Sequence, residues 1–229
     1  PPSPGATNGT PFAGVVGDVT FSRGRGFYDA PVSLTLGTAT VGATIRYTTN
    51  LAEPTATTGL VYSAPLVITN TRAIRAAAFR TGWAASKVVT HTYVFPTNGI
   101  SSCVMRRSVT TNAAYAPRMR AALFQVPSVS LVTPLTINGS GESKASFEWL
   151  WPDGQPGVQE DCGVRNFGGD YTDFAKKNFR LYFRGEYGAT KLRHPLFAGF
   201  ERGLRVANEF DQLELRSGSH DMEMRGFYM

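Results

Sequence analysis

Few side chains in this sequence stand at spacings that suggest chemistry. His220 is followed directly by Asp221, a pairing suited to general acid–base catalysis. No G-x-S-x-G nucleophile motif accompanies it, so we interpret it as a surface turn. Gly168-Gly169 matches neither G-x-G-x-x-G nor a Walker A loop, and a glycine turn between strands is expected there. Lys176-Lys177 is an isolated basic pair, which by itself indicates a solvated entry to a strand.

Cysteine and histidine offer no metal site. The two cysteines, Cys103 and Cys162, are too few for a disulfide scaffold or a metal cluster. A single bridge between them and two free thiols both stay open, because a bridge depends on compartment and geometry. The histidines stand at no ligand-like spacing from either cysteine, so we predict no zinc.

Composition excludes several classes of protein. The chain has 229 residues, of which 42% are hydrophobic and 17% are charged, with a net charge of +6. The excess is spread out: residues 1–96 hold 7 Lys/Arg and 3 Asp/Glu, and residues 97–229 hold 16 and 14. Nucleic-acid binding requires a dense stripe of basic residues. The sequence contains no such stripe, so we predict no nucleic-acid partner. The longest apolar runs fall short of the roughly 18 residues of a membrane span, so we predict none.

Short β-favouring runs separated by turn residues dominate the first 96 residues. Several alternate with a period of two, which is typical of half-buried strands. The predicted strands are Val32–Leu36, Thr44–Thr48, Leu60–Tyr62, Leu66–Thr69, Ala73–Phe79 and Lys87–Phe95. This spacing predicts a small immunoglobulin-type sandwich. Its aromatic residues Tyr47, Tyr62, Trp83 and Tyr93 are expected either to pack in the core, which we favour, or to form a sugar-stacking platform.

Charge becomes denser after residue 96, and the pattern predicts an α+β second part. A helix is expected at Asn112–Gln125, capped by Asn112, with Ala114, Met119, Ala122 and Leu123 on its packed side. Pro117 must either lie within its first turn or kink it. Strands are expected at Ser128–Val132, Ala145–Leu150, Gly157–Phe167, Asn178–Arg184 and Phe210–Arg216. A Pro152-Asp153-Gly154 turn should join two of them in a hairpin. We interpret the chain as a segment of a longer protein.

Motifs in the first part resemble a known module. They are Gly26-Phe27-Tyr28-Asp29-Ala30-Pro31-Val32, Gly42-Ala43-Thr44-Ile45-Arg46-Tyr47-Thr48-Thr49-Asn50, Glu53-Pro54-Thr55, Tyr62-Ser63-Ala64-Pro65-Leu66 and Arg75-Ala76-Ala77-Ala78-Phe79. This ordered set resembles the chitobiase/β-hexosaminidase C-terminal domain, also called the Fn3-associated module. The resemblance implies an immunoglobulin-like β-sandwich appended to secreted or surface enzymes, without catalysis of its own.

Motifs in the second part resemble another family. They are Phe147-Glu148-Trp149, Cys162-Gly163-Val164-Arg165, Lys176-Lys177-Asn178-Phe179-Arg180-Leu181-Tyr182-Phe183-Arg184, Tyr187-Gly188, Lys191-Leu192, Pro195-Leu196-Phe197 and Phe210-Asp211-Gln212-Leu213-Glu214-Leu215-Arg216. They resemble the N-terminal part of the spore-coat-protein-H (CotH) kinase-like family. Phe167 departs from that pattern, where a basic or imidazole side chain is expected before the glycine pair.

The resemblances imply a domain order. Residues 1–18 would be the tail of an upstream lamin-tail-like domain or a linker, and 19–96 the sandwich. Residues 97–126 would be a linker with a short helix, and 127–229 a truncated kinase-like region with an antiparallel, N-lobe-like sheet. The fold class expected is therefore mainly β.

The second resemblance also implies a site. In atypical kinases a cation of the N-lobe holds nucleotide phosphates and carboxylates hold magnesium. Lys176 or Lys177 would be that cation, and Arg165 on the neighbouring strand would pair with it through a carboxylate or reach phosphate itself. ATP and Mg²⁺ are thus the implied cofactors. The acidic residues of the C-lobe have no match here, so this segment alone is not expected to catalyse.

Two functions follow from these resemblances. In the first, the chain belongs to a secreted or cell-surface protein that phosphorylates surface or coat proteins. In the alternative, it is a non-catalytic module that binds cell-surface polysaccharide or acts as a spacer.

Overall fold

The structure is a computed structural model that describes residues 12–96, 107–137, 141–167, 177–197 and 206–216. The described residues form mainly β-strands with little helix, which confirms the fold class expected from the sequence. The chain divides into two compact units. The first unit is Pro1–Ser128 together with Leu150–Gly157, and the second is Val129–Trp149 together with Val158–Met229.

Nine strands form the sheets of the first unit within residues 12–96. They are β1 Thr20–Phe21, β2 Gly26–Phe27, β3 Val32–Leu34, β4 Leu36–Gly37, β5 Thr44–Thr48, β6 Leu60–Val61, β7 Leu66–Ile68, β8 Arg72–Phe79 and β9 Val89–Val94. A five-stranded sheet has the order β2-β9-β8-β5-β6, in which only the β2–β9 pair is parallel. Two antiparallel pairs, β3–β7 and β1–β4, complete the unit.

The two larger sheets of the first unit share one core. Val32 and Leu34 of β3 and Ile68 of β7 belong to the same buried cluster as Ile45 of β5 and Ile74 of β8. Apolar side chains at alternate positions of each strand therefore meet between two sheets, which is the packing of a β-sandwich. Removal of these apolar side chains from water is the main favourable contribution to the free energy of folding of such a sandwich.

The outer face of the five-stranded sheet is also covered. Arg75 of β8 has only 1% of its surface exposed, although its side chain points away from the core. Its Nη1 donates to the carbonyl oxygen of Leu51 at 2.9 Å, and its Nη2 donates to Oε1 of Glu53 at 2.9 Å. Leu51 has a φ of 70°, so the loop after β5 adopts a left-handed turn where it meets the arginine. The buried ion pair fixes this loop.

Most strand predictions for the first unit are confirmed, with small differences. Residues 44–48 form β5 as expected, whereas the predicted strand at 32–36 is divided into β3 and β4 around Thr35. In β9 one face was expected to be buried, but Thr90 and Thr92 on the other face are buried as well. They lie opposite Arg75 and Ala73 in the β8–β9 register, next to that buried ion pair.

The helical segment differs from the prediction. Instead of one helix from residue 112, the chain forms α1 Arg107–Thr110 and α2 Ala116–Leu123. Asn112 does not cap α2, because its Oδ1 accepts from the amide of Ala114 in the intervening turn. The predicted packed side is wrong in part: Ala114 and Ala122 are exposed, and Met119 and Leu123 are half-buried. Pro117 does lie in the first turn, where proline costs no helix hydrogen bond.

A second five-stranded sheet organises the second unit. Its strands are β10 Ser128–Val132, β11 Ser143–Leu150, β12 Val158–Asn166, β13 Phe179–Tyr182 and β16 Gln212–Leu215, in the order β10-β11-β12-β13-β16. A smaller pair joins β14 Leu192–Arg193 to β15 Glu209–Phe210. The predicted hairpin is confirmed, since β11 and β12 pair antiparallel around the turn that contains Gly154, with a φ of 78°.

Apolar and polar residues alternate along the strands of this second sheet, so the sheet has an apolar face and a charged face. Phe147, Cys162, Val164, Leu181 and Phe183 are buried together on the apolar face. Leu213 and Leu215 pack against the same core. The strand predicted at Phe210–Arg216 is divided into β15 and β16, and Phe210 packs against this core as well. No helix in the described part of the chain is long and apolar enough to cross a membrane.

Candidate functional site

The charged face of the second sheet carries most of its polar groups. We use this name for the face opposite the apolar core, which is formed by Lys144, Ser146, Glu148, Asp161, Gly163, Arg165, Arg180, Tyr182, Gln212 and Glu214. The face arises because these residues alternate along the strands with the buried core side chains. Opposite charges from neighbouring strands thereby come within reach of one another.

Most of the cations that the structure describes in the second unit form ion pairs with carboxylates. The pairs are Lys144–Asp161 at 3.7 Å, Arg180–Glu214 at 2.5 Å, Arg184–Glu142 at 3.1 Å, Lys191–Asp211 at 3.2 Å and Arg193–Glu209 at 3.0 Å. Such exposed pairs stabilise the fold by about 1 kcal/mol or less each. They nevertheless reduce the charge available to an anionic ligand.

Arg165 and Lys177 differ from these paired cations. Neither has a carboxylate partner among the residues that the structure describes. Arg165 lies on β12 opposite Arg180, and its guanidinium lies 5.1 Å from the ring centroid of Tyr182. Lys177 is half-buried and precedes β13 by two residues.

The topology brings these two predicted residues to one end of the sheet. Strands β12 and β13 are antiparallel, so the last residues of β12 lie beside the first residues of β13. The amide of Phe167 donates to the carbonyl oxygen of Asn178 at 3.0 Å, which extends the pairing beyond both strands. Lys176, the other predicted cation, lies outside the described residues. The assignment of Lys176, Lys177 and Arg165 to phosphate binding stays a prediction.

A polar cluster that the sequence did not reveal lies over Gly163. Glu142 accepts from Nη1 of Arg184 at 3.1 Å and is hydrogen-bonded by the hydroxyl of Tyr187. Burial, followed by the bond to Glu142, raises the pKa of Tyr187 to about 12. A Cβ atom on Gly163 would stand 2.1 Å from Oε1 of Glu142 and 2.6 Å from the Tyr187 ring. Glycine at this position therefore permits the cluster to contact the sheet directly.

Arginine side chains stack on aromatic rings around this cluster. The guanidinium of Arg184 lies 4.5 Å from the ring centroid of Tyr182, and that of Arg180 lies 3.8 Å from the ring centroid of Phe167. Such contacts hold a planar cation in place while leaving its edge available for hydrogen bonds. Phe167 thus supports a cation from the neighbouring strand. The spacing of Tyr182 and Arg184 is a sequence signal for the contact between them, whereas the contact of Arg180 with Phe167 depends on strand pairing.

Cys162 is a buried free thiol. It is fully enclosed in the apolar core. Burial raises its pKa to about 12, with smaller contributions from the carboxylates of Asp161 and Glu142. Cys103 lies outside the described residues. Within the described residues no group of three or more His, Cys, Asp or Glu side chains is placed to hold a metal ion.

Tyr47, Tyr62, Trp83 and Tyr93, the four aromatic residues considered from the sequence, do not come together as one sugar-stacking platform. Tyr93 is completely buried, and its hydroxyl donates to the carbonyl oxygen of Arg23 at 3.0 Å. Tyr47, Tyr62 and Trp83 pack against the core while remaining half-buried. The core-packing interpretation is therefore confirmed. Gly168-Gly169 and His220-Asp221 lie outside the described residues.

Comparison with known proteins supports the first resemblance alone. No curated protein and no solved structure matches this chain. Nothing in the comparisons supports the kinase-like resemblance of residues 127–229, which stays a prediction. Residues 34–93, which include strands β4 to β8 and most of β9, match the protein-family model described as Fn3 associated.

Proposed function

We propose that the second unit is the N-terminal part of a CotH-like protein kinase, and that Arg165 and Lys177, with Lys176, contact the phosphates of ATP. The observation that carries this proposal is the position of Arg165 and Lys177. Both lie at the β12–β13 end of an antiparallel sheet, and neither has a carboxylate partner among the described residues. The ordered motifs of residues 127–229 provide the family context.

The chemistry of phosphoryl transfer suits such an arrangement. Cations that are already positioned bind the phosphates and stabilise the charge that develops during transfer. The planar fork of Arg165 offers bidentate hydrogen bonds, whereas Lys177 offers a point charge on a mobile stem. Magnesium would require carboxylates that the described residues do not gather, so this part of the chain would hold phosphate rather than metal. Catalysis therefore calls for further acidic residues.

Nucleotide binding by the whole chain tests this proposal. We expect a fluorescent ATP analogue to bind, and Arg165→Gln or Lys177→Gln to weaken binding by about tenfold or more, because each removes a charge-assisted hydrogen bond. Arg193→Gln is the matched control, since it removes one charge from an exposed ion pair with Glu209. If the unmodified chain and all three variants bind the analogue with equal affinity, neither Arg165 nor Lys177 is a phosphate ligand.

Phosphate transfer is a separate expectation. A longer version of the protein that continues beyond residue 229 should transfer the γ-phosphate of ATP to a surface or coat protein in the presence of Mg²⁺. Transfer is measured with γ-labelled ATP, and its absence in a protein that binds ATP would contradict the kinase activity. The same proposal places the protein outside the cell or on its surface.

A second candidate function concerns the first unit. The Fn3-associated segment has a surface cleft lined by aromatic side chains, a composition that favours carbohydrate. As a binding module, the unit would hold cell-surface polysaccharide. A glycan array incubated with the whole chain tests this function, and a chain that retains no glycan would leave the first unit as a spacer.

A further inference from the structure

A cleft of about 490 Å³ lies on the first unit, on the side of the five-stranded sheet that faces away from the core. Thr44 and Arg46 of β5 and Phe79 of β8 contribute to its lining. Thr44 is directly opposite Phe79 in the β5–β8 register, and both alternate with core residues. The volume falls within the range of small-ligand sites.

Aromatic side chains form one wall of this cleft. Phe12 is 67% exposed and lies in the lining with Trp83. A Cβ atom on Gly14 would stand only 2.7 Å from the Trp83 ring, so the backbone there lies directly on the indole. The amide of Ala13 donates to the carbonyl oxygen of Gly82 at 2.9 Å and fixes the segment that carries Phe12. The Trp83 ring and the backbone that carries Phe12 are therefore held in place before any ligand binds, which lowers the entropic cost of binding.

The charge of the cleft is positive. Arg46 and Arg80 line it, and no acidic residue does. Arg46 donates one hydrogen bond, from Nη1 to the carbonyl oxygen of Gly59 at 2.9 Å. The guanidinium of Arg80 lies 4.6 Å from the ring centroid of Trp83. Neither arginine has a carboxylate partner in the described part of the chain, so both retain N–H groups for an anion.

The carboxylates of residues 12–96 are all engaged elsewhere. Oδ1 of Asp18 accepts from the amide of Lys87 at 3.0 Å. Asp29 pairs with Arg120, and Glu53 pairs with the buried Arg75. No acidic side chain of this segment is therefore available to neutralise the two arginines of the cleft.

We infer that this cleft binds an anionic sugar residue of a polysaccharide. Arg46 and Arg80 hold its carboxylate or sulfate group, the hydroxyls of Thr44 and Thr81 bond to its hydroxyls, and the aromatic wall contacts the apolar face of its ring. This assignment rests on the second candidate function and adds the ligand class. The sugar-stacking platform considered from the sequence as the less favoured alternative contained Trp83 but none of the residues that supply charge.

Titration of the whole chain with three oligosaccharides tests the assignment. The probes are an oligogalacturonate, which carries carboxylates, a heparin oligosaccharide, which carries sulfates, and neutral cellohexaose. We expect at least one anionic probe to bind about tenfold or more tighter than cellohexaose. Arg46→Gln and Arg80→Gln should each reduce that affinity about tenfold. The side chain of Arg80 makes no hydrogen bond within the described fold, so its variant tests the site even if Arg46→Gln, which loses the bond to Gly59, fails to fold.

Arg72→Gln is the matched control for non-specific attraction to a basic chain. Arg72 is an exposed arginine of the same unit, lies outside the cleft, and donates from Nε to Asn70. Its replacement should change affinity by less than about twofold. Equal losses in all three variants would show general charge attraction and overturn the site. Tighter binding of cellohexaose would overturn the anionic ligand class and leave carbohydrate binding standing, whereas no binding of any glycan would overturn both.

Discussion

Single residues of this protein have chemical properties set by their surroundings rather than by their types. Cys162 illustrates this at its simplest. It is a thiol on a strand next to two carboxylates, yet its side chain faces the apolar core and is fully enclosed. With a pKa raised to about 12 by burial, it stays protonated at neutral pH.

We predict that this thiol resists alkylation in the folded protein. At pH 8 its thiolate fraction is roughly a thousandfold below that of an exposed cysteine. The measurement is iodoacetamide labelling of a Cys103→Ser variant, with and without urea. Labelling should occur only in urea, and labelling of the folded variant at the rate of a free peptide thiol would contradict this environment.

At the scale of the elements, β12 shows how one strand serves both faces of a sheet. Its residues Cys162 and Val164 fill the core, while Gly163 between them leaves space for Glu142 and Tyr187 on the charged face. The absence of a side chain at Gly163 therefore matters to the packing around β12 as much as the side chains of Cys162 and Val164 do.

Gly163→Ala should therefore destabilise the second unit by about 1–3 kcal/mol, because the added methyl group forces Glu142 and Tyr187 away from their positions. Urea unfolding measures the free energy of unfolding. Gly185→Ala is the control, since its Cβ would meet its nearest atom at an ordinary 3.6 Å. Equal stability of both variants would show that the cluster over Gly163 adjusts without cost.

Strand positions were largely predictable from the sequence, and helix packing was not. Period-two alternation identified β5 and β10 with their observed limits. The helix prediction failed at Asn112 because its side chain stabilises a turn before α2, a choice that local composition does not distinguish from a cap. Ala114 and Ala122 were expected to pack, but small apolar residues are equally compatible with solvent exposure.

At the scale of the whole molecule, stability responds to pH through His91. Its ring stacks on Phe21 with centroids 4.1 Å apart, and its Nδ1 lies 3.3 Å from the carbonyl oxygen of Arg23. Burial, assisted by the charge of Arg25, lowers the pKa of His91 to about 3. The imidazole is therefore neutral in the folded protein at physiological pH.

We predict that mild acid destabilises the fold, because His91 binds a proton in the unfolded chain and not in the folded chain. Between pH 6.5 and 5 the unfolded chain binds a proton at this residue and the folded chain does not, so the free energy of unfolding falls as pH falls. The expected loss is about 1–2 kcal/mol over that range. His91→Phe should remove it in denaturant unfolding at both pH values. His194→Gln is the control, with a smaller expected effect because His194 is less buried. An unchanged pH dependence in His91→Phe would contradict the assignment.

The sequence by itself determined the β-rich class, most strands, the Fn3-associated segment and the absence of a long apolar run, because alternation, turn residues and ordered motifs are local properties. Only the tertiary structure decided which charges are neutralised. Arg75 and Glu53 are 22 residues apart and form a buried pair, whereas Arg165, Lys177, Arg46 and Arg80 have no carboxylate partner in the described residues. Pairing depends on which strands become neighbours and which face each side chain occupies, and a linear sequence does not contain those distances.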